Sequence, residues 1–257
     1  MKPPDSAERM PRPGARFHVQ ATLGVGAEFP LPAEAAHHAA RVLRLVVGDP
    51  ATVFDGSGGE YSVVITRIAR AEVVVRTIAY AETERESPLD LVLVQGVSSG
   101  DRMDYTLRKA VELGIGRIVP VFTERSIVRL VGERAERRAA HWQALSIAAC
   151  EQCGRNRVPG VAAPITFAHW LADLPVAAAA ELRLTLSPAA VQRLADWPRP
   201  AGTITLLAGP EGGLTRDEAE LAGSRGFRGA RLGPRVLRTE TAALAALAAI
   251  QTLWGDF

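Results

Sequence analysis

The apolar positions of the chain follow two different patterns. Over roughly the first third, short runs rich in β-branched residues lie at 51–54, 61–68 and 73–80. The first two runs flank Asp55-Gly56-Ser57-Gly58-Gly59, a composition that is typical of a hairpin turn. One stretch, between Pro32 and Leu45, is typical of a helix. These patterns predict a small β-rich module that begins near residue 16.

The second pattern follows a polar segment, 81–88, which ends in proline and is typical of a linker. Beyond it, strand-like runs alternate with helical stretches, which predicts an α/β domain with a mostly parallel sheet covered on both faces. The predicted strands lie at 89–95, 117–122, 182–186, 204–208 and 230–232, and the clearest helices at 102–113 and in a long stretch that ends near Cys150. We therefore divide the chain into a disordered or extended N-terminus at 1–15, a first domain at 16–82 and a second domain at 83–257.

Composition and charge narrow the class of protein. With 47% hydrophobic and 23% charged residues, the chain is typical of a globular protein with a sizeable core. The longest apolar run, 242–250, is too short to span a bilayer, and the N-terminus lacks the apolar stretch of a signal peptide, so we expect a cytoplasmic protein without a membrane partner. The net charge of +2 neither demands nor excludes nucleic acid, but a mild basic excess between residues 100 and 160 favours phosphate binding.

Cysteine and histidine spacing gives no sign of a metal site. Cys150 and Cys153 are the only cysteines, and two thiols do not complete a structural zinc site. We interpret them as reduced thiols at a helix end, with a redox pair as the less favoured alternative.

One glycine-rich turn follows a predicted strand and opens a helix. It reads Ala208-Gly209-Pro210-Glu211-Gly212-Gly213, and Thr215 with Glu218 forms a capping box behind it. Its glycines let the backbone approach a ligand closely and leave N–H groups free to bind it. A tight strand-to-helix turn alone would explain the glycines but not the proline and glutamate between them.

A second turn, Leu232 to Ala242, has the same position relative to its strand and helix. Gly233-Pro234 breaks the strand, and we expect Thr239 to cap the last helix. These features leave Val236-Leu237 and Arg238 without a purpose in the turn, whereas a pocket for an adenine ring would supply one. Neither turn is the dinucleotide, triphosphate or hydrolase motif, which excludes those classes of site.

Together the two turns resemble the paired signature of the ribosomal RNA small-subunit methyltransferase E family, in the SPOUT class of methyltransferases. The resemblance extends from about residue 10 to the end of the chain. Segments that match the family in the same order lie at 11–18, 38–44, 109–114, 123–126, 151–155 and 158–159. Small departures are Leu214, where an aromatic residue is frequent, and Cys150, where a small residue is usual.

The resemblance implies a C-terminal SPOUT domain with a deep trefoil knot and a small N-terminal β-barrel domain similar to a PUA domain. It implies S-adenosylmethionine as cofactor, methylation of N3 of a specific uridine in 16S ribosomal RNA of the small subunit, and a homodimer. The cofactor residues it implies are Leu186, Ser187, Ala208, Gly209, Gly212, Gly213, Leu232, Gly233, Val236, Leu237, Thr239 and Thr241.

The implied chemistry selects candidate catalytic residues. N3 of uridine is a weak acid, so its methylation needs a proton acceptor or a cation that stabilises the anion. Arg238 and Arg155 are the candidate cations, and Glu211 or Glu151 the candidate base. A phosphate clamp is the alternative for either arginine, and a carboxylate that holds the turn is the alternative for Glu211.

Candidate RNA contacts follow the basic residues of both domains. They are Arg12, Arg16, Arg41, Arg44, Lys109 and Arg125. Ordinary solvated arginines are an equal alternative, and Lys109 can simply pair with Glu112 on the same helix. Two other functions remain open: a SPOUT 2′-O-ribose methyltransferase of tRNA or ribosomal RNA, and an RNA-binding protein without enzymatic activity.

Overall fold

The computed structural model describes residues 15–70 and 72–257, and the chain folds into two compact units. The first comprises Met1–Glu86 and Cys150–Val158, and the second Ser87–Ala149 and Pro159–Phe257. The predicted boundary lies four residues earlier, and the sequence pattern did not indicate that a segment from the second half of the chain belongs to the first unit. The predicted disordered N-terminus, apart from Ala15, lies outside the described residues, as does Arg12.

The first unit is built on a five-stranded sheet in the order β1-β3-β4-β5-β2. Its strands are β1 Arg16–His18, β2 Glu28–Pro30, β3 Pro50–Phe54, β4 Glu60–Ala69 and β5 Glu72–Ala81. The predicted hairpin is confirmed, because β3 and β4 pair antiparallel across the glycine-rich turn. Gly58 and Gly59 have φ values of +123° and +67° there, which only glycine adopts without strain.

One helical segment covers this sheet and closes its core. Helix α1, Ala33–His37, continues as a π-helical turn, His38–Val42, within the predicted helical stretch. Along β4, Val63 and Ile65 point inward in the alternation expected of a strand with one buried face. They pack with Phe17 in the hydrophobic core of the unit.

The second unit contains a parallel sheet in the order β12-β10-β11-β6-β7-β8, with β9 also paired to β7. Its strands are β6 Leu91–Gly96, β7 Arg117–Phe122, β8 Gly160–Val161, β9 Ile165–Thr166, β10 Leu182–Leu186, β11 Ile204–Ala208 and β12 Arg228–Ala230. Every residue of β6 and β11 is buried, as expected of central strands covered on both faces. The predicted parallel α/β sheet is confirmed. Strand β12 begins two residues earlier than predicted, because Arg228–Ala230 is the stretch that pairs with Leu184–Leu186.

The helices of the second unit bear out the helical periodicity. They are α2 Gly100–Glu112, α3 Glu133–Cys153, α4 Phe167–Asp173, α5 Arg216–Ser224 and α6 Thr239–Trp254, with the last four residues of α3 assigned to the first unit. Helix α2 buries Met103, Leu107 and Val111 on one face, and its C-cap residue is Leu113. Gly114 follows with a φ of +81°, the left-handed conformation in which glycine commonly ends a helix. No helix among the described residues is long and apolar enough to cross a membrane.

Candidate active site

A cavity of about 630 Å³ lies in the second unit, where the carboxyl ends of β10 and β11 meet the loop that follows β12. Carboxyl ends of neighbouring parallel strands lie at one edge of a sheet, which is the usual place for a ligand site in such folds. The volume is within the range of pockets that bind cofactor-sized molecules. Three segments supply most of the lining: 185–188, 208–214 and 232–240.

Both glycine-containing turns therefore face the same cavity. All the residues that the resemblance implied for the cofactor line it, with the exception of Thr241. Thr241 is exposed in the first turn of α6, and the cavity lining continues instead with Ala242. The structure thus brings two turns that are about twenty residues apart into one site, while their contact with a cofactor stays a prediction.

The first turn is folded by its own backbone and by the end of β6. Gly213 N donates to Pro210 O at 2.9 Å, and the capping box of α5 is confirmed, with Glu218 Oε2 accepting from Thr215 N at 2.9 Å. At Gly96, the last residue of β6, a Cβ atom would lie only 2.5 Å from Pro210 N. Gly96 is thus required for the close approach of the turn. Local sequence patterns do not reveal this role, because Gly96 and Pro210 are far apart in the chain.

Glu211 holds this turn to the start of α2. Its Oε1 accepts hydrogen bonds from Ser99 N at 2.9 Å and from Arg102 NH1 at 3.0 Å. Burial raises the pKa of Glu211, but these hydrogen bonds outweigh it and keep the pKa below its ordinary value. A carboxylate of lowered pKa is a poor proton acceptor, so the contacts favour the turn-holding interpretation over the catalytic one.

Arg102 also joins the two turns through charge. Its Nε lies 4.0 Å from Glu240 Oε1 at the start of α6, while its NH1 binds Glu211. Arg102 was not among the predicted site residues, although its place in the first turn of the helix after β6 puts it at the same sheet edge as the glycine-rich turn.

The predicted cap of α6 by Thr239 is wrong. Arg238 is the N-cap residue, and no side chain caps the helix there. Thr239 is already the first residue of the helix, and its hydroxyl donates to Gly209 O at 2.6 Å instead. The hydroxyl itself accepts a hydrogen bond from Gln95 Nε2 at 3.0 Å.

Arg238 and Val236 are residues that line the cavity. Within the described part of the chain, the guanidinium of Arg238 makes no hydrogen bond or ion pair. Val236 is 82% exposed, whereas Leu237 is half-buried. An apolar pair with an unengaged cation beside it suits a site that receives both a flat ring and a polar substrate.

Arg155 and Glu151, the other candidate catalytic residues, belong to the first unit. Arg155 is 5% exposed, and its Nε donates to both carboxylate oxygens of Glu86, at 3.0 and 3.2 Å. Glu151 accepts from His18 N at 2.8 Å, and burial raises the pKa of its carboxyl. A buried ion pair accounts for Arg155, and we withdraw it as a candidate catalytic cation.

The candidate RNA contacts separate into exposed and structural residues. Arg41 and Arg44 lie on the surface of the first unit. Arg16 is not a surface residue, since its side chain is 11% exposed, binds Glu60 at 2.6 Å and stacks on an aromatic ring; we correct that prediction. Lys109 pairs with Glu112 at 2.8 Å, and Arg125 NH1 donates to Gly212 O at 2.8 Å and so supports the glycine-rich turn.

Comparison with known proteins identifies the family. Residues 85–251 match the RNA methyltransferase domain, and residues 31–78 match the RNA methyltransferase PUA domain. A ribosomal RNA small subunit methyltransferase E of Synechocystis is 34% identical over 221 residues, which cover 84% of this chain and 70% of the relative. The chain belongs to the ribosomal RNA small subunit methyltransferase E family. The resemblance that the two turns indicated is confirmed, as is the N-terminal PUA domain.

Solved methyltransferase structures extend the match to three dimensions. The methyltransferase E of Neisseria gonorrhoeae, bound to S-adenosyl methionine, has a TM-score of 0.87 and 42% identity, and the alignment covers 97% of this chain and 100% of that one. A putative methyltransferase of Legionella pneumophila in complex with the same cofactor has a TM-score of 0.89 and 36% identity, over 95% of this chain and 99% of that one. The deep trefoil knot that the resemblance implied stays a prediction.

Proposed function

We propose that the chain transfers the methyl group of S-adenosylmethionine to N3 of a specific uridine in 16S ribosomal RNA of the small subunit. The observation that carries this proposal is the cavity itself, in which two glycine-containing turns of the methyltransferase E family line one edge of a parallel sheet. Two solved relatives were obtained with this cofactor, and this chain is similar to both over nearly its whole length.

The residues of the cavity fit the parts of such a cofactor. Gly209, Gly212 and Gly213 bring backbone polar groups to its lining without side chains in between. Leu232, Val236 and Leu237 form an apolar wall suited to an adenine ring. When bound, S-adenosylmethionine supplies a methyl group carried on a sulfonium, and the sulfonium becomes a neutral thioether when the methyl is transferred.

Arg238 is placed to act on the uridine. Methylation at N3 breaks the S–CH₃ bond, forms an N–CH₃ bond and releases the N3 proton to solvent, so a negative charge develops on the base when the proton leaves first. Arg238 lines the cavity, and within the described residues its guanidinium makes no hydrogen bond or ion pair. It stabilises that charge by hydrogen bonding and electrostatics. No step is assigned to Glu211, which holds the turn.

The first unit, which contains the residues that match the PUA domain and is called the PUA unit below, contributes to RNA binding. Arg41 and Arg44 on its surface supply sequence-independent attraction to phosphate. We expect the enzyme to act as a homodimer in the cytoplasm. Size-exclusion chromatography with light scattering tests whether the protein is a dimer.

The first prediction tests Arg238 as the catalytic cation. Lysine keeps the charge but lacks the planar fork of donors, so Arg238→Lys should bind S-adenosylmethionine normally and methylate about a hundredfold more slowly. Single-turnover methylation of small ribosomal subunits, beside calorimetric cofactor affinity, measures both quantities. Arg216→Lys, an exposed residue of α5 paired with Glu220, is the matched control.

Two outcomes would contradict the proposal in different ways. A normal rate for Arg238→Lys removes the residue from the chemistry. Nuclease digestion and mass spectrometry of the product identify the methylated atom, and a 2′-O-methylated nucleotide would assign the rival SPOUT reaction. Absence of cofactor binding by the unmodified protein would leave only the RNA-binding alternative.

A further inference from the structure

The second turn has little to hold it in place by itself. Among the residues that the structure describes, Leu232 to Leu237 make no backbone–backbone hydrogen bond. Upstream, Arg231 is fixed on both sides, because its N–H donates to Gln192 O at 2.9 Å and its carbonyl accepts from Leu194 N at 3.1 Å. The segment Leu232 to Leu237 is thus anchored at its upstream end, and its position in the cavity also depends on how its downstream end is held, where α6 begins.

That end is fixed by a buried hydrogen-bond relay. Thr239 Oγ1 donates to Gly209 O at 2.6 Å, and Gln95 Nε2 donates to Thr239 Oγ1 at 3.0 Å. The same amide lies 3.4 Å from Gly209 O and 3.1 Å from Gly96 O. Gln95 is fully buried, and Thr239 is 9% exposed.

The middle position of the relay requires a hydroxyl. Only a group that accepts from an amide and donates to a carbonyl can stand between Gln95 Nε2 and Gly209 O. Threonine and serine satisfy this requirement, whereas valine, which has the shape of threonine, satisfies neither half. Burial increases the cost of breaking the relay, because the side chains of Gln95 and Thr239 would lose a partner where water has little access.

Packing alone does not explain a glutamine at position 95. Within the described residues its Oε1 is buried and has no hydrogen-bond partner. An orphaned buried oxygen destabilises a fold, and an apolar side chain of the same shape removes that penalty. The amide is therefore explained by the donor that it presents to Thr239 rather than by packing.

We propose that Gln95 and Thr239 are positioning residues that lock the second turn of the cavity to the first and so set the geometry of the cofactor site. The inference rests on the proposed function, since it assumes that S-adenosylmethionine binds in this cavity. It assigns a role to Gln95, which does not line the cavity and acts through Thr239 and Gly209, which do.

The test compares cofactor affinity with fold stability. Thr239→Val and Gln95→Met should each weaken S-adenosylmethionine binding about tenfold in calorimetry, because each breaks the hydrogen bond between Gln95 and Thr239 that anchors the second turn, whereas Thr239→Ser should stay within about twofold of the unmodified protein. Combined, the two damaging substitutions should weaken binding no more than the stronger single one, because both break one relay.

A matched control separates positioning from general destabilisation. Thr77→Val makes the same substitution in the first unit, where Thr77 Oγ1 is buried and donates to Gly24 O. It should lower the midpoint of thermal unfolding and leave cofactor affinity unchanged. Gln95→Met should weaken cofactor binding and cost less thermal stability than Thr77→Val, because removal of its orphaned oxygen offsets part of the hydrogen bonding that it loses.

Each outcome decides the matter. Loss of affinity in Thr239→Val and Gln95→Met with rescue by Thr239→Ser supports the inference; if Thr239→Val does not fold, Gln95→Met and Thr239→Ser carry the comparison. Unchanged affinity in Gln95→Met while the unmodified protein binds the cofactor overturns the inference and leaves the proposed function intact. Absence of binding by the unmodified protein overturns both.

Discussion

At the scale of single residues, the charge of an arginine does not predict whether its side chain lies on the surface or in the interior. Arg155 is buried and the side chain of Arg16 is only 11% exposed, and each is paired with a carboxylate that lies far away in the chain. Glu60 is 44 residues from Arg16, and Glu86 is 69 residues from Arg155. Such pairs satisfy the rule that a buried charge needs a partner, but the partner becomes visible only when the chain is folded.

Cys150 offers a residue-scale prediction. Burial raises the pKa of its thiol to about 12, although the nearby Arg155 opposes the shift. At pH 8 only about one thiol in ten thousand is then the reactive thiolate. Cys150 should therefore resist iodoacetamide in the native protein and react readily in urea. Mass spectrometry of the alkylated peptides checks this, and labelling of native Cys150 at the unfolded rate would contradict it.

At the scale of elements, local sequence patterns predict the strands and turns well, but they do not predict the contacts between turns. The hairpin and the capping box at Thr215 depend on residues within a few positions of one another, so the sequence predicts them. Thr239 depends on Gly209 and Gln95, which are 30 and 144 residues away. A local rule assigned its hydroxyl to the nearest helix end, whereas the fold directs it to the neighbouring turn.

A substitution at Gly96 tests whether the first turn needs its close approach to β6. A Cβ atom there would lie 2.5 Å from Pro210 N and 2.9 Å from the carbonyl carbon of Gly209, so Gly96→Ala must displace backbone. We expect a loss of about 1–3 kcal/mol in the free energy of unfolding and weaker cofactor binding. Gly100→Ala, four residues further on, has open space around its Cβ and is the control. Equal effects of the two substitutions in urea unfolding and calorimetry would contradict this account.

At the scale of the whole molecule, the division into units does not follow chain order. The segment Cys150–Val158 belongs to the first unit, where polar contacts account for its position. Asn156 bonds Arg16, Glu60 and the carbonyl of Thr83, and Arg85 donates to Gly154 O at 2.9 Å. Periodicity predicts the helix that ends within this segment, but it does not indicate which unit the segment packs against. Its membership in the PUA unit could therefore be learned only from the fold.

Glu60 lies at the centre of these contacts and gives the unit a pH-dependent stability. Burial raises the pKa of Glu60, but the hydrogen bonds and charges of Arg85 and Arg16 outweigh it and hold the pKa below its ordinary value of 4.5. A lowered pKa in the folded state means that the stabilisation is fully present above the unfolded pKa and is lost as pH falls through the folded one. At pH 7, Glu60→Gln should cost about 1–3 kcal/mol in the free energy of unfolding.

The difference between Glu60→Gln and the unmodified protein should therefore shrink when urea unfolding is repeated below pH 4.5. Glu72→Gln is the matched control, because its ion pair with Arg67 lies on the surface of the same unit, with side chains 42% and 59% exposed. Solvent screens such a pair, so its loss should change stability by less than about 1 kcal/mol. A Glu60→Gln effect that is equally large at pH 7 and about pH 4 would mean that packing, rather than the charge on Glu60, holds Cys150–Val158 in the first unit.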